Sequence, residues 1–280
     1  MEGMLEVNGV NLWHRITGEG EPVVQIHGAG FGHFNLDPVT PLVAAGGFMV
    51  VDYDQRGYGA SDKPLQHYDM EVFADDFVAL LDVLGIERAH VHGTSMGGMV
   101  AIVVAGKYPQ RTQSVVINCA AAKLGRMGRL IFKNWIDIAN MDPDGPGSRL
   151  LAELISWQAV NKRFLESPEG EGIADVCQQI LRDSNSREVF TAVCQAMNDM
   201  DITSWLPKIT LPALVLGGDE DIMTPWDQGP NGVGQEGIHQ AITGSEKHVI
   251  AGAGHSTIFD ATEEHGRVVV DFLRRHPLTR

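Results

Sequence analysis

The segment Gly93-Thr94-Ser95-Met96-Gly97 sets a serine between two glycines. An apolar run ending in Ala89-His90-Val91-His92 precedes it. Gly98-Met99-Val100-Ala101-Ile102-Val103-Val104-Ala105 follows and has the pattern of a buried helix. A serine on such a strand-to-helix turn stands with its hydroxyl above the end of the sheet. The amide of Met96, at the helix N-terminus, can hold a developing oxyanion. The motif is short and the chain contains 32 glycines, so a helix-capping serine on a tight turn is the competing reading. Partners further along the chain decide between the two.

A serine hydroxyl becomes a nucleophile when a base takes its proton, and the base needs an acceptor that holds one tautomer. An apolar strand, Pro212-Ala213-Leu214-Val215-Leu216-Gly217-Gly218, runs into three acids, Asp219, Glu220 and Asp221. A second strand from Lys247 leads through Gly252-Ala253-Gly254 to His255. The order serine, acid, histidine suits a nucleophile on a strand-to-helix turn, and both partners follow strand ends. The chain has 11 histidines. His27 has the setting of a structural residue, His33 lies on the same loop and could line a pocket, and His90, His92 and His248 sit within strands. His255 alone combines the strand end, the flexible approach and the order, so it is the expected base.

Alternating elements must hold these groups. Residues 5–14 read as a hairpin about Asn8-Gly9. Residues 22–26, 47–51 and 113–118 read as buried strands. Helical spacing runs from 69 to 84, with Val72, Phe73, Phe77, Leu80, Leu81 and Leu84 on one side and Gly85 as its cap. Residues 263–274 form a last helix. The expected fold class is α/β: a mostly parallel central sheet with helices on both faces.

With these residues in hand, the chain resembles the α/β-hydrolase superfamily over nearly its whole length. His27-Gly28-Ala29-Gly30 resembles the family's His-Gly-X-Gly loop, which implies the amide of Ala29 as a second oxyanion donor beside Met96. Asp52-Tyr53-Asp54-Gln55-Arg56-Gly57-Tyr58-Gly59-Ala60-Ser61-Asp62 resembles a family segment that is scaffold rather than chemistry. The spacing in Gly218-Asp219-Glu220-Asp221-Ile222-Met223-Thr224-Pro225 resembles that of the family's acid and favours Asp221. The implied catalytic set is Ser95, Asp221 and His255.

About eighty residues beyond an ordinary crossover separate two core strands. Helical patterns at 130–139, 148–161, 172–183 and 186–197 are broken by Asp142-Pro143-Asp144-Gly145-Pro146-Gly147 and Ser167-Pro168-Glu169-Gly170. The expected organisation is a hydrolase core of residues 1–120 and 206–280 with a helical cap over 121–205. The end of the cap, Val193-Cys194-Gln195-Ala196-Met197-Asn198-Asp199-Met200-Asp201-Ile202, is similar to that of 3-oxoadipate enol-lactonase-like hydrolases. The loop from His27 to Gly32 and Ser95-Met96-Gly97-Gly98 are similar to those of meta-cleavage carbon–carbon hydrolases, and cofactor-free haloperoxidase-like esterases share most of both. Gly28, Phe31, His33 and Trp157 are candidate substrate contacts. Arg126, Arg129 and Arg163 could bind a substrate carboxylate, although a solvated surface charge is the commoner fate.

The resulting expectation is a serine hydrolase of a small carboxylic ester or lactone, working through an acyl-enzyme. Carbon–carbon hydrolysis of a dienone acid and ligand capture on a hydrolase scaffold are the alternatives. No metal-ligand spacing, phosphate loop or dinucleotide fingerprint appears, so no cofactor and no metal are expected. A net charge of −15 argues against nucleic acid and anionic membranes as partners. No apolar run approaches a membrane span. Cys119, Cys177 and Cys194, odd in number and far apart, fit reduced thiols. With no signal-peptide pattern after Met1, they suggest a cytoplasmic protein. A homodimer is left open.

Overall fold

The computed structural model describes residues 1–278. Its frame is one eight-stranded sheet in the order β1-β2-β4-β3-β5-β6-β7-β8. The strands are β1 (Glu2–Val7), β2 (Val10–Thr17), β3 (Glu21–Ile26), β4 (Phe48–Tyr53), β5 (Ala89–Thr94), β6 (Thr112–Asn118), β7 (Ala213–Gly218) and β8 (Glu246–Ile250). β1 and β2 pair antiparallel, as do β2 and β4; the pairings from β4 through β8 are parallel. The β1–β2 turn is the two-residue Asn8-Gly9 loop, with φ of 48° and 74°, which suits the twist of a hairpin.

The central strands are apolar on both sides, and their alternation divides the core. Val23, Val50 and Val116 face one cluster, with Val269 and Phe272. Their neighbours Val24, Val51 and Val115 face the other, with Phe73, Phe77 and Ile102. Period-two side chains thus bury each strand twice, as a parallel sheet covered on both faces requires. Helices α1 (Thr40–Ala45) and α11 (Thr262–Arg275) cover the first face; α2 (Met70–Leu84) and α3 (Met96–Lys107) cover the second. Asp69 caps α2 by accepting the Val72 N–H at 2.8 Å, and Gly85 ends it at φ 69°.

Five helices lie between β6 and β7: α4 (Arg126–Met141), α5 (Arg149–Ala159), α6 (Lys162–Leu165), α7 (Ile173–Ser184) and α8 (Arg187–Asp199). Four match the helical patterns read from the sequence. The short α6 was not foreseen: α5 stops at Ala159, and Asn161 starts a new turn by accepting the Phe164 N–H at 2.7 Å. The inserted helices do not form a core of their own. Phe132, Trp135, Ile155, Leu181 and Phe190 belong to the same apolar cluster as the second sheet face. Two further short helices are α9 (Gln235–Ala241) and α10 (Thr257–Asp260). No helix among the described residues is long and apolar enough to cross a membrane.

Candidate active site

Ser95 ends the central strand β5 and opens α3. Its backbone has φ 56° and ψ −121°, a region that side-chain-bearing residues rarely occupy. The flanking glycines are required by space. A Cβ on Gly93 would run into the Gly97 carbonyl, and one on Gly97 into the Ile26 carbonyl of the neighbouring strand. The Ser95 N–H donates to the Asn118 carbonyl at 2.9 Å, which anchors the turn to β6. The competing helix-cap reading fails on geometry, because the Ser95 side chain caps nothing in α3.

The hydroxyl instead meets a histidine. His255, on the loop after β8, places Nε2 2.8 Å from Ser95 Oγ. Its Nδ1 lies 3.0 and 3.1 Å from the two carboxylate oxygens of Asp221, on the turn after β7. With Nδ1–H donated to Asp221, Nε2 is an acceptor for the serine proton. Asp219 and Glu220, the rival acids, are exposed. The side chain of Asp221 is fully buried. Burial alone would raise its pKa; the charge and hydrogen bond of His255, with donors from Thr224, outweigh this and hold the carboxyl below its ordinary value. Asp221 Oδ1 accepts the N–H groups of Met223 and Thr224, each at 2.9 Å.

The loop after β3 faces the serine. Gly28 donates its N–H to Asn35 Oδ1 at 3.1 Å, while the amides of Ala29 and Met96 have no acceptor among the described residues. They are therefore free to donate to an oxyanion. His27 supports the loop from below. Its Nδ1–H donates to the Gly28 carbonyl at 2.7 Å, and Nε2 accepts the Gln55 N–H at 2.9 Å. Full burial pushes the His27 pKa down to about 4, so the ring stays neutral near pH 7. The segment after β4 also serves the frame: Asp54 accepts the N–H groups of His33 and Ala60, and Arg56 pairs with Asp76.

A cavity of about 30 Å³ touches Ser95 and His255, with Gly28, Ala29 and Phe31 on one wall and Phe132, Trp135 and Ile155 of the inserted helices opposite. Of the candidate substrate contacts, Gly28 and Phe31 thus line this cavity. His33 and Trp157 do not. The His33 ring stacks on Trp13 at 3.9 Å and bonds Asp54 Oδ1 at 2.9 Å, turned into the frame. Trp157 is 52% exposed and lines no part of this cavity. Among the described residues no arginine lines it either: Arg126 and Arg163 are exposed, and Arg129 donates to the Leu124 carbonyl.

Three supporting residues escaped the sequence reading. Thr224 Oγ1 lies 2.8 Å from Asp221 Oδ2, 2.7 Å from the Cys119 carbonyl and 3.1 Å from His255 Nδ1. Asn35 orients the Gly28 amide. Asp260 accepts N–H groups from Gly254, next to His255, and from Asn161 in the insertion, at 2.6 and 3.1 Å. Only Thr224 left a usable signal, a hydroxyl three residues past the acid and just before Pro225.

Among the described residues, the group of donors close enough to surround a cation is Cys119, Asp221 and His255. Burial pushes the Cys119 thiol well above its ordinary pKa, so it stays protonated, and the other two are already bonded to each other. This donor set does not suit a metal. All three cysteines are buried and unpaired.

Residues 21–262 match the family model described as the alpha/beta hydrolase fold. The chain belongs to that family. This alpha/beta hydrolase is 30% identical to 3-oxoadipate enol-lactonase 2 of Acinetobacter baylyi over 63% of each chain. It is 27% identical to the 2-hydroxy-6-oxo-6-phenylhexa-2,4-dienoate hydrolase of Comamonas testosteroni, over 92% of this chain and 90% of that one. The crystal structure of the enol-lactonase of Burkholderia xenovorans is similar at a TM-score of 0.86 and 25% identity, covering 97% of this chain and 100% of that one.

Proposed function

We propose that this alpha/beta hydrolase cleaves a small carboxylic ester or lactone through an acyl-enzyme on Ser95. One observation carries the reading: His255 Nε2 is 2.8 Å from Ser95 Oγ while its Nδ1 is 3.0 Å from the buried Asp221. Nucleophile, base and orienting acid are in hydrogen-bond reach.

The steps follow from these positions. Ser95 Oγ attacks the ester carbonyl carbon as its proton moves to His255 Nε2. The negative charge gathers on the carbonyl oxygen, where the amides of Ala29 and Met96 donate to it. The ester C–O bond breaks, and the Nε2 proton passes to the departing oxygen. In a lactone that oxygen remains tethered to the acyl chain. Water then gives a proton to Nε2 and adds to the acyl carbon. The Ser95–acyl bond breaks, the acid leaves and the proton returns to Oγ. Asp221 stays ionised and stabilises the imidazolium that forms twice.

The test is intact-protein mass after rapid quench with an ester. The expected result is an acyl mass on the parent and none on Ser95→Ala. Likeness to the Comamonas testosteroni dienoate hydrolase supports a second reading, carbon–carbon hydrolysis by the same residues. Cleavage of a dienone acid with no ester or lactone turnover and no adduct would decide for it.

A further inference from the structure

A second cavity, of about 60 Å³, adjoins the one at Ser95, and the two share Phe31, Asn35, Ile155, Ala159 and Ser256. The second lies between α5, α7 and the Phe31–Asn35 loop and has exposed side chains in its lining; joined across their shared walls, the two would make one passage from the serine to the surface. Its two ends differ. Beyond Ser95 it stops at Phe132, Trp135 and Met223, each at most 2% exposed. The Trp135 ring is held by a 2.9 Å bond from Nε1 to Gln158 Oε1, so this end is a fixed wall. At the other end Ile173, Val176 and Ile180 of α7 meet Phe34 and Phe259. Val176 is 55% and Phe34 41% exposed, leaving apolar carbon in water around the mouth.

The polar groups along the passage are few and mostly occupied. Ser156 donates its hydroxyl to the Ala152 carbonyl at 2.7 Å, and Asn35 Oδ1 accepts from Gly28. Among the described residues, no lysine or arginine lines either part. A carboxylate entering here would lose water without gaining a cation, and a net charge of −15 opposes it further. The narrow bore favours a slim chain over a branched or ring-bearing one.

Resting on the serine-hydrolase reading, we propose that the substrate is an uncharged ester with one short arm and one linear apolar arm. The short arm ends against Trp135 and Phe132. The long arm lies in the passage between α5 and α7 and covers Val176 and Phe34 at its mouth.

The test compares kcat/KM for methyl acetate through methyl octanoate, and for ethyl through octyl acetate, so that either side of the ester can reveal the long arm. Each methylene sheathed in the passage should raise kcat/KM up to about fourfold; with about two or three of the added methylenes sheathed, the favoured series should show an octyl-to-ethyl-length ratio on the order of 10 to 100. Ala159→Phe, at the shared neck, should bring that ratio down to about 1 if the plug is complete. Val176→Asp at the exposed mouth should lower it by about tenfold and does not depend on the core repacking around a new ring. Monomethyl adipate, with its free carboxylate, should react on the order of 100-fold less well than methyl hexanoate. A flat dependence on length in both series, an unchanged ratio in both variants, or equal rates for the charged and neutral methyl esters overturns the proposal. The hydrolase reading fails separately, by absence of turnover of every ester together with absence of an adduct on Ser95.

Discussion

The hydroxyl of Thr224 lies 2.8 Å from the Asp221 carboxylate, inside the buried turn that carries the acid. The same hydroxyl reaches the Cys119 carbonyl, just past the adjoining strand β6, at 2.7 Å, so one side chain ties the acid to the frame. Thr224→Val should leave these acceptors short of a donor and destabilise the fold by about 1–3 kcal/mol. It should also lower kcat by about tenfold, because the acid that orients His255 loses its tether. Thr224→Ser should restore both. Urea denaturation and steady-state kinetics on the two variants check this; full kcat in the valine variant would refute it.

Ser95→Ala should abolish nearly all turnover and keep the fold. Residual rates of about a thousandfold over water are expected from binding and the oxyanion donors. Ser95→Gly should be inactive as well, yet more stable than Ser95→Ala by about 1 kcal/mol, because glycine tolerates the positive φ that alanine must still adopt. Equal melting midpoints for the two variants would argue against strain at this turn.

Gly28→Val addresses the loop opposite. A Cβ at Gly28 would meet Asn35 Oδ1 and Ser95 Cβ, each at 3.2 Å. A branched side chain cannot be seated without moving the path of the Ala29 amide. Loss of one oxyanion donor costs about 10²–10³ in kcat. A valine variant with parental kcat would remove Ala29 from the oxyanion role.

Acid should destabilise the protein. Burial pushes His27 and His92 down to about 4, and lowers His90 and His265 as well. His92 Nε2 faces His265 Nε2 at 3.1 Å, so protonating both would set like charges together. Below the ordinary histidine pKa of 6.5 the unfolded chain takes up protons that the folded chain refuses, so stability falls with falling pH, and for His27 and His92 it does so until the folded rings titrate near 4. Each such ring contributes up to about 1.4 kcal/mol per pH unit. Asp260 acts oppositely: burial raises its pKa to about 6, so the folded chain binds its proton first and gains stability as pH drops. Asp76, also raised chiefly by burial, has the same sign. Four histidines outweigh two acids, and the urea midpoint should fall steadily from pH 6.5 to 4.5. A flat midpoint would contradict these directions.

Much of the fold was legible because the strands are apolar on both sides and the breakers between helices are strong. The strand-to-helix turn at Ser95 showed itself through glycines that the backbone cannot replace. The chain order then pointed to Asp221 and His255, and the geometry brings all three together. The contacts from the insertion were less legible. Trp157 and the buried Trp135 sit on neighbouring helices with similar surroundings in sequence, and which one reaches the serine depends on how α4 and α5 cross. His33 had the loop position of a pocket residue, but Asp54, twenty-one positions away, draws it into the frame. Asp260 accepts from the backbone of Asn161, 99 positions away, a pairing that no local pattern encodes.

That single carboxylate has a mechanical consequence. Asp260 grips the amide beside His255 with one hand and the start of α6 with the other, while the Ser256 amide holds the end of α5 through the Ala159 carbonyl at 2.7 Å. Displacement of α5 and α6 to widen the passage therefore strains the loop that carries the base. Under the proposed hydrolysis, entry of the ligand and the aim of His255 would share one lever, and the base would be best aligned with the passage shut.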